Sequence, residues 1–322
     1  MTDDAAVSYP AHGGNLSWAE ARFPAAPRPW LDLSTGINPW PYPLLPQDMA
    51  DLHRLPDAAL EAALCHAIAK RLGLDQPHRI VLAPGSESLI RLLPRLLPPD
   101  RVAILAPSYG GHAEAWALAG HQVMPSQNPL SEPAAVRVIV SPNNPDGRVF
   151  DMAAPPDGLL VLDRAFAPFA PAADNANIVS LYSFGKFFGL PGLRFGFAVA
   201  SAAWAARLRD ALGAWPVNAL ALHVACRAYG DDAWIAATGQ HLATARQRLD
   251  ELLARFGWHA AGGTDLFRLI ADRRAPRLFR HLARHGILTR IFAYDSSWLR
   301  LGLPGADAEW QRLQAALEAY DD

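Results

Sequence analysis

One lysine in this chain stands in a setting suited to nucleophilic chemistry. Of the 29 lysines and arginines, only Lys70 and Lys186 are lysine. Lys186 lies in Ser183-Phe-Gly-Lys186-Phe-Phe-Gly-Leu-Pro-Gly-Leu-Arg194-Phe-Gly196, an apolar, glycine-rich run. Arginine can fill most surface roles, but it does not form a Schiff base under ordinary conditions. Apolar surroundings disfavour the ammonium ion and so favour the neutral amine. Alone, a lysine in such a turn is ordinarily a solvated loop residue, and its neighbours argue otherwise. Ser183 offers a hydroxyl and Arg194 a guanidinium, both suited to one phosphate group. Gly85-Ser86-Glu87 lies between a strand and a helix, where backbone N–H groups point at an anion; by itself the triplet is usually a helix cap. Tyr109 follows a strand and could stack on a flat ring, although core packing is the commoner fate of a tyrosine. Asp163 closes the apolar run Gly158 to Leu162 and either caps the next turn or pairs with a buried cation such as a protonated pyridine nitrogen. Asn144, in Ser141-Pro-Asn-Asn-Pro-Asp-Gly147, could donate to a phenolic oxygen or simply form the turn its sequence suits.

An aldehyde-trapping lysine, an acid for a pyridine nitrogen, a stacking face and a phosphate cup together specify the chemistry of pyridoxal 5′-phosphate (PLP). The order Gly-Ser-Glu, Pro-Ser-Tyr, Asn-Asn-Pro, Asp-x-Ala-Phe, Ser-x-Gly-Lys, Gly-Leu-Arg-x-Gly resembles fold-type-I PLP enzymes of the histidinol-phosphate aminotransferase branch, over nearly the whole chain. The resemblance implies Lys186 as the Schiff-base lysine, Asp163 on the pyridine nitrogen, Asn144 on the ring hydroxyl and Tyr109 stacking on the ring. It implies Gly85, Ser86, Ser183 and Arg194 at the phosphate, with Glu87 in the same cofactor-binding group. It places an arginine for the substrate carboxylate late in the chain, where Arg300 stands in Ser297-Trp-Leu-Arg300-Leu-Gly302.

Within this branch the chain is more similar to the L-threonine-O-3-phosphate decarboxylases of cobalamin biosynthesis. The likeness rests on His12-Gly-Gly-Asn15, Ser34-Thr-Gly-Ile-Asn38-Pro39, Asp163-Arg-Ala-Phe166, Gly262-Gly-Thr-Asp-Leu-Phe267 and Gly286-Ile-Leu-Thr-Arg290-Ile-Phe292. It implies a small phosphorylated amino acid as substrate, with Arg290, helped by His12 and Asn38, at its phosphate. Taken singly, His12 reads as a terminal residue, Asn38 as a turn former and Arg290 as a strand-edge arginine. Two departures from the aminotransferase pattern stand out. Phe166 replaces a tyrosine that would bond the ring hydroxyl, and Arg164 follows Asp163 where a glutamate is usual. The tyrosine that a partner subunit lends to the cofactor phosphate falls near Leu55, which puts that contact in doubt while the family still implies a homodimer.

These residues sit at the ends of recurring elements. A Pro-rich, extended arm (Pro24 to Pro46) precedes a helix over Ala58–Leu72, whose apolar residues recur at helical spacing before Gly73. Strands are expected at 79–83, 101–105, 136–140, 158–162, 178–182 and 193–200, with helices at 88–97 and 112–120. The alternation predicts an α/β domain with a mostly parallel sheet, and ligands bind past the carboxyl ends of such strands. From about Trp204 long helices run to about Phe256. A glycine turn (Gly262-Gly263), a strand at 266–270, a helix at 276–285 and short strands near Leu288 and Leu299 follow. The expected fold is therefore a fold-type-I PLP-dependent transferase with a smaller α+β domain. Its arm is residues 1–40, packed on the small domain; the large domain is 41–215 and the small one 216–322.

Composition excludes several classes. With 322 residues, 51% hydrophobic and 19% charged, the chain is globular. A net charge of -2 suggests neither nucleic acid nor an anionic membrane as partner. Cys65 and Cys226 lack metal spacing. Asp3 and Asp4 stand where a signal peptide would be basic, and no apolar run is long enough to span a membrane, so a cytoplasmic enzyme is expected. The competing readings are transamination of a phosphorylated amine such as histidinol phosphate, a PLP-binding protein without catalysis, and, more weakly, a nucleotide-binding protein, since Gly189-x-x-Gly192 lacks the strand–turn–helix context.

Overall fold

The computed structural model describes residues 10, 12–150, 157–172 and 175–321; Asp3 and Asp4 lie outside them. The chain divides into two compact units, Pro41–Thr238 and Met1–Trp40 with Gly239–Asp322.

The larger unit is built on a seven-stranded sheet. In spatial order its strands are Ile80–Ala83, Gly196–Val199, Ile178–Ser183, Leu159–Asp163, Val136–Val140, Arg101–Leu105 and Gln122–Ser126. Only Gly196–Val199 runs against the others. The inner strands are buried along their length, as a sheet covered on both faces requires, so their sequences are apolar runs rather than alternating ones. Helices such as Ala58–Leu72 begin and end on local signals: Asp57 Oδ1 accepts from Ala59 N at 2.6 Å, and Gly73 turns the chain out with φ 66°. The fold class agrees with the sequence reading. Two strand expectations shift. Gln122–Ser126 was not foreseen: it lies at the sheet edge, half-exposed, where Pro125 is tolerated. The strand expected from Leu193 starts at Gly196, because Arg194 adopts a left-handed φ of 55° after a short 3-10 turn.

The boundary between the units also differs from the expected residue 215. Ala219–Gly230 packs against Ala58–Leu72 within the larger unit. Tyr229 is 1% exposed and its ring meets Phe184, Phe188 and Phe197. Long helices in sequence do not announce which sheet they cover; burial of this aromatic cluster ties 216–238 to the larger sheet.

In the smaller unit a four-stranded antiparallel sheet has the order Arg290–Phe292, Asp295–Gly302, Phe267–Ala271 and Ala260–Thr264. The helices Ala275–Arg284 and Asp307–Glu318 belong to the same unit. A two-stranded parallel pair joins Leu31–Asp32 to Ile287–Leu288. The expected Gly262-Gly263 turn is instead strand. Gly263 has φ 135°, and a Cβ there would lie 2.2 Å from the Phe267 carbonyl oxygen, so glycine is what permits the pairing.

Candidate active site

The carboxyl edge of the large sheet gathers most of the residues singled out above. Strand register sets two neighbourhoods. In the first, Ala83 and Ser183 are both paired with Gly196. This brings the segments Gly85-Ser86, Ser183 and Arg194 to one end of three adjacent strands. The packing there is close. A Cβ on Gly85 would come within 2.7 Å of Arg194 Nη2, and one on Gly196 within 2.5 Å of Ser86 N. Gly85 has φ 85° and Ser86 begins the next helix, so its first N–H groups have no intrahelical acceptor. Arg194 is exposed and donates to the Pro191 carbonyl at 3.2 Å. A guanidinium, a hydroxyl and helix-start amides around glycine backbone make a cup for a phosphate.

In the second neighbourhood, Val140 pairs with Asp163 and Asp163 with Leu181. Asp163 is 3% exposed. Its Oδ1 accepts from Ala165 N at 2.9 Å and its Oδ2 lies 3.0 Å from His112 Nε2. A carboxylate can only accept, so His112 Nε2 carries the proton in that bond. His112, itself buried, was read in sequence only as the start of a helix. Its Nδ1 has no hydrogen-bond partner among the described residues.

Tyr109 stands at the N-terminus of the helix that carries His112, with the two rings edge to face, centroids 6.1 Å apart. Its hydroxyl donates to Glu87 Oε2 at 2.9 Å, while Glu87 Oε1 accepts from Arg91 Nε at 2.8 Å. Arg91 also reaches Glu114 at 2.9 Å. Burial, followed by the charge of Glu87, raises the Tyr109 pKa well above that of a free phenol. Glu87, expected among the cofactor contacts, thus uses both carboxylate oxygens within the protein, on Tyr109 and Arg91.

Lys186 lies in the one-turn helix Phe184–Phe187 that follows Ser183. Its Nζ is 5.6 Å from the centre of the Phe166 ring. Asn144 is half-buried in the loop after Val140. Its neighbour Asn143 fixes that loop, donating to the Pro107 carbonyl and to Asp146 at 3.1 and 2.9 Å and accepting from Ser108 at 2.7 Å.

The remaining four candidates lie in the smaller unit. Arg290 and Arg300 are directly paired across adjacent strands. Arg300 is buried over the Phe267 ring and donates to the Ser34 carbonyl at 2.7 Å. Its pKa falls to about 10, first through burial and then through the charge of Arg290. Burial also lowers that of Arg290, whose Nη1 donates to the Pro10 carbonyl. His12 and Arg290 line one recess with Pro10, Gly13, Ser34 and Thr289. Ser34 is its anchor: Ser34 Oγ donates to Asp32 Oδ1 at 2.5 Å and accepts from Gly14 N at 2.7 Å. Gly13 packs so tightly on Ser34 that a Cβ would lie 2.3 Å from its carbonyl oxygen. Asn38 is buried elsewhere in this unit and accepts from Trp40 N at 2.9 Å, the turn-forming contact its type suggests. It does not line the recess.

This fold and site define a member of the aminotransferase class I and II family: the chain belongs to it, with residues 44–318 matching the family model. Among characterised proteins, the chain is 40% identical to a threonine-phosphate decarboxylase of Pseudomonas aeruginosa, over 97% of this chain and 98% of that one. A second threonine-phosphate decarboxylase, from a Sinorhizobium species, is 38% identical over 95% and 97% of the two chains. Among solved structures, the histidinol-phosphate aminotransferase of Sinorhizobium meliloti in complex with pyridoxal 5′-phosphate superposes with a TM-score of 0.78. It is 21% identical, over 96% of this chain and 94% of that one, a likeness of fold.

The residues present fit PLP. A side chain on Gly85 or Gly196 would collide with Arg194 or with the Ser86 amide, so glycine is what lets these phosphate-suited donors approach one another. The buried Asp163 carboxylate, held by His112 and the Ala165 amide, is suited to pair with a protonated pyridine nitrogen.

Proposed function

We propose that this protein decarboxylates L-threonine O-3-phosphate to (R)-1-amino-2-propanol phosphate, a step of cobalamin biosynthesis, with pyridoxal 5′-phosphate as cofactor. The observation that carries this reading is the 40% identity to a threonine-phosphate decarboxylase along almost the full length of both chains. Histidinol-phosphate aminotransferases are more distant, at 28% and 30% identity for those of Lactiplantibacillus plantarum and Granulibacter bethesdensis.

When bound, PLP supplies an aldehyde that condenses with amines and a ring that draws electrons from the substrate α-carbon. Lys186 would hold it, with Gly85, Ser86, Ser183 and Arg194 on its phosphate, Tyr109 on its face and Asn144 on its ring hydroxyl. Asp163 would pair with the pyridine nitrogen, and His112 Nε2 orients Asp163 through its hydrogen bond. Arg300 takes the substrate carboxylate. Arg290 and His12 take the substrate phosphate. Anchored at both ends, a small substrate has little freedom to turn about Cα, and this selects which of its bonds breaks. The Lys186 amine is the group suited to return a proton to Cα after carbon dioxide leaves.

The enzyme acts as a homodimer in the cytoplasm on this reading. Leu44, Met49, Leu52 and Leu55 are each more than half exposed within a short segment, an apolar surface of the kind a second copy covers. No helix among the described residues is long and apolar enough to cross a membrane. Sedimentation of the PLP-loaded protein tests the dimer.

The reaction is tested by end-point mass spectrometry. The PLP-loaded protein is given L-threonine phosphate in one tube, and histidinol phosphate with 2-oxoglutarate in another. Aminopropanol phosphate in the first and no glutamate in the second is the expected result. Glutamate in the second with threonine phosphate untouched would leave an aminotransferase on the same cofactor site.

A further inference from the structure

Thr289 shares the recess with His12 and Arg290. Thr289 sits between the strands Ile287–Leu288 and Arg290–Phe292 and lines the recess. It is 2% exposed, and its Oγ1 has no hydrogen-bond partner among the described residues. Buried hydroxyls are ordinarily paired, and one left unpaired loses its hydration without return. Packing alone would be served by valine, which fills nearly the same volume without a polar atom.

Two other side-chain oxygens of the recess already have partners. Ser34 Oγ bonds Asp32 and Gly14, and Asn15 Oδ1 accepts from Trp18 N at 3.0 Å. Among the described residues lining the recess there is no acidic side chain. This wall carries the Arg290 guanidinium, whose Nη1 also donates to the Pro10 carbonyl, with the His12 imidazole and the Thr289 hydroxyl. A phosphate monoester is the complementary ligand, since near neutral pH its three terminal oxygens carry nearly two charges and only accept. Rotation about χ1 exchanges the hydroxyl and methyl of a threonine without changing its volume, so Oγ1 can turn to a ligand that the arginine has already drawn in.

We propose that Thr289 donates its hydroxyl to the phosphate of the substrate held by Arg290, and so helps set specificity for phosphorylated over free amino acids. The inference rests on the substrate reading above and adds a residue to it.

The test compares the PLP-loaded wild type with Thr289→Val and Thr289→Ser. The valine variant should raise KM for L-threonine phosphate about tenfold, a change of about 1.4 kcal/mol, while kcat falls far less. Inhibition by inorganic phosphate should weaken by a similar factor. Cofactor content and melting temperature should hold or rise, and serine should restore KM. An unchanged KM and phosphate inhibition constant in Thr289→Val overturns the proposal. So does a raised KM that comes with a lower melting temperature and is not restored by serine, since that would mark a packing role. If the wild type releases no carbon dioxide from threonine phosphate, the substrate reading fails separately. Calorimetric titration of the same proteins with inorganic phosphate then decides the Thr289 assignment: weaker binding in the valine variant supports it, and equal binding refutes it.

Discussion

His112 Nε2 and Asp163 Oδ2 are 3.0 Å apart, with both side chains almost fully removed from water. A hydrogen bond to a buried carboxylate is worth about 1.5–3 kcal/mol. His112→Phe keeps a ring of similar bulk and removes the donor. PLP affinity should fall about 10- to 100-fold, read by absorbance titration of the cofactor-free protein, and decarboxylation at saturating PLP should also slow. Unchanged affinity would mean that Asp163 is held well enough by the Ala165 amide alone.

Glu87 and Tyr109 form a second such pair, in which the carboxylate holds a ring rather than a ligand. Glu87→Ala and Tyr109→Phe should each weaken PLP binding about three- to tenfold, and the double variant should be little worse than either single one. Coupling of this kind between contacting residues amounts to about 0.5–3 kcal/mol. Additive losses would show that Glu87 meets the cofactor independently of Tyr109.

Much of this site was legible because its residues adjoin strand ends in sequence. Ser183, Lys186 and Arg194 fall within one short run, and Asp163 closes an apolar strand. His112 was not legible. Its partner is 51 residues away, and only the sheet order brings the two together. Glu87 carries a local clue in sequence, since Arg91 stands four residues later on the same helix face. The seven-stranded sheet was readable from buried apolar runs, whereas its edge strand with Pro125 lacked that signal. Gly262-Gly263 reads as a turn by composition, and only the approach of the neighbouring strand shows why glycine is there.

The lowered pKa of Arg300 predicts a pH effect with a definite sign. At neutral pH the guanidinium is charged and attracts a carboxylate, and because burial and Arg290 lower its pKa toward about 10, that charge weakens earlier on the alkaline side than for an ordinary arginine. KM for L-threonine phosphate should therefore be insensitive to Arg300 up to about pH 9 and rise steeply beyond about pH 10. Inhibition by aminopropanol phosphate, which has no carboxylate, serves as the control. If both constants rise together, another group is responsible.

Phe166 lies 5.6 Å, centroid to Nζ, from Lys186 and brings no hydroxyl to the cofactor. Phe166→Tyr should add a hydrogen bond to the ring oxygen and partly neutralise it. The visible band of the PLP-loaded protein should then titrate at lower pH than in the wild type. Absence of a shift in a variant that retains full cofactor would place the Phe166 ring out of reach of that oxygen.

The pairing of Leu31–Asp32 with Ile287–Leu288, and of the Ser34 carbonyl with Arg300, has a consequence for how the protein is made. The Ser34–Arg300 bond closes a loop of 266 residues. A ribosome delivers the first strand long before its partner exists, at about 5–20 residues per second. Pro41–Thr238 is contiguous in sequence and can assemble while the chain is still growing. The N-terminal segment cannot complete its own unit until the part of the chain after Thr238 has emerged, and until then Leu31 and Leu33 remain uncovered, in want of either a chaperone or time.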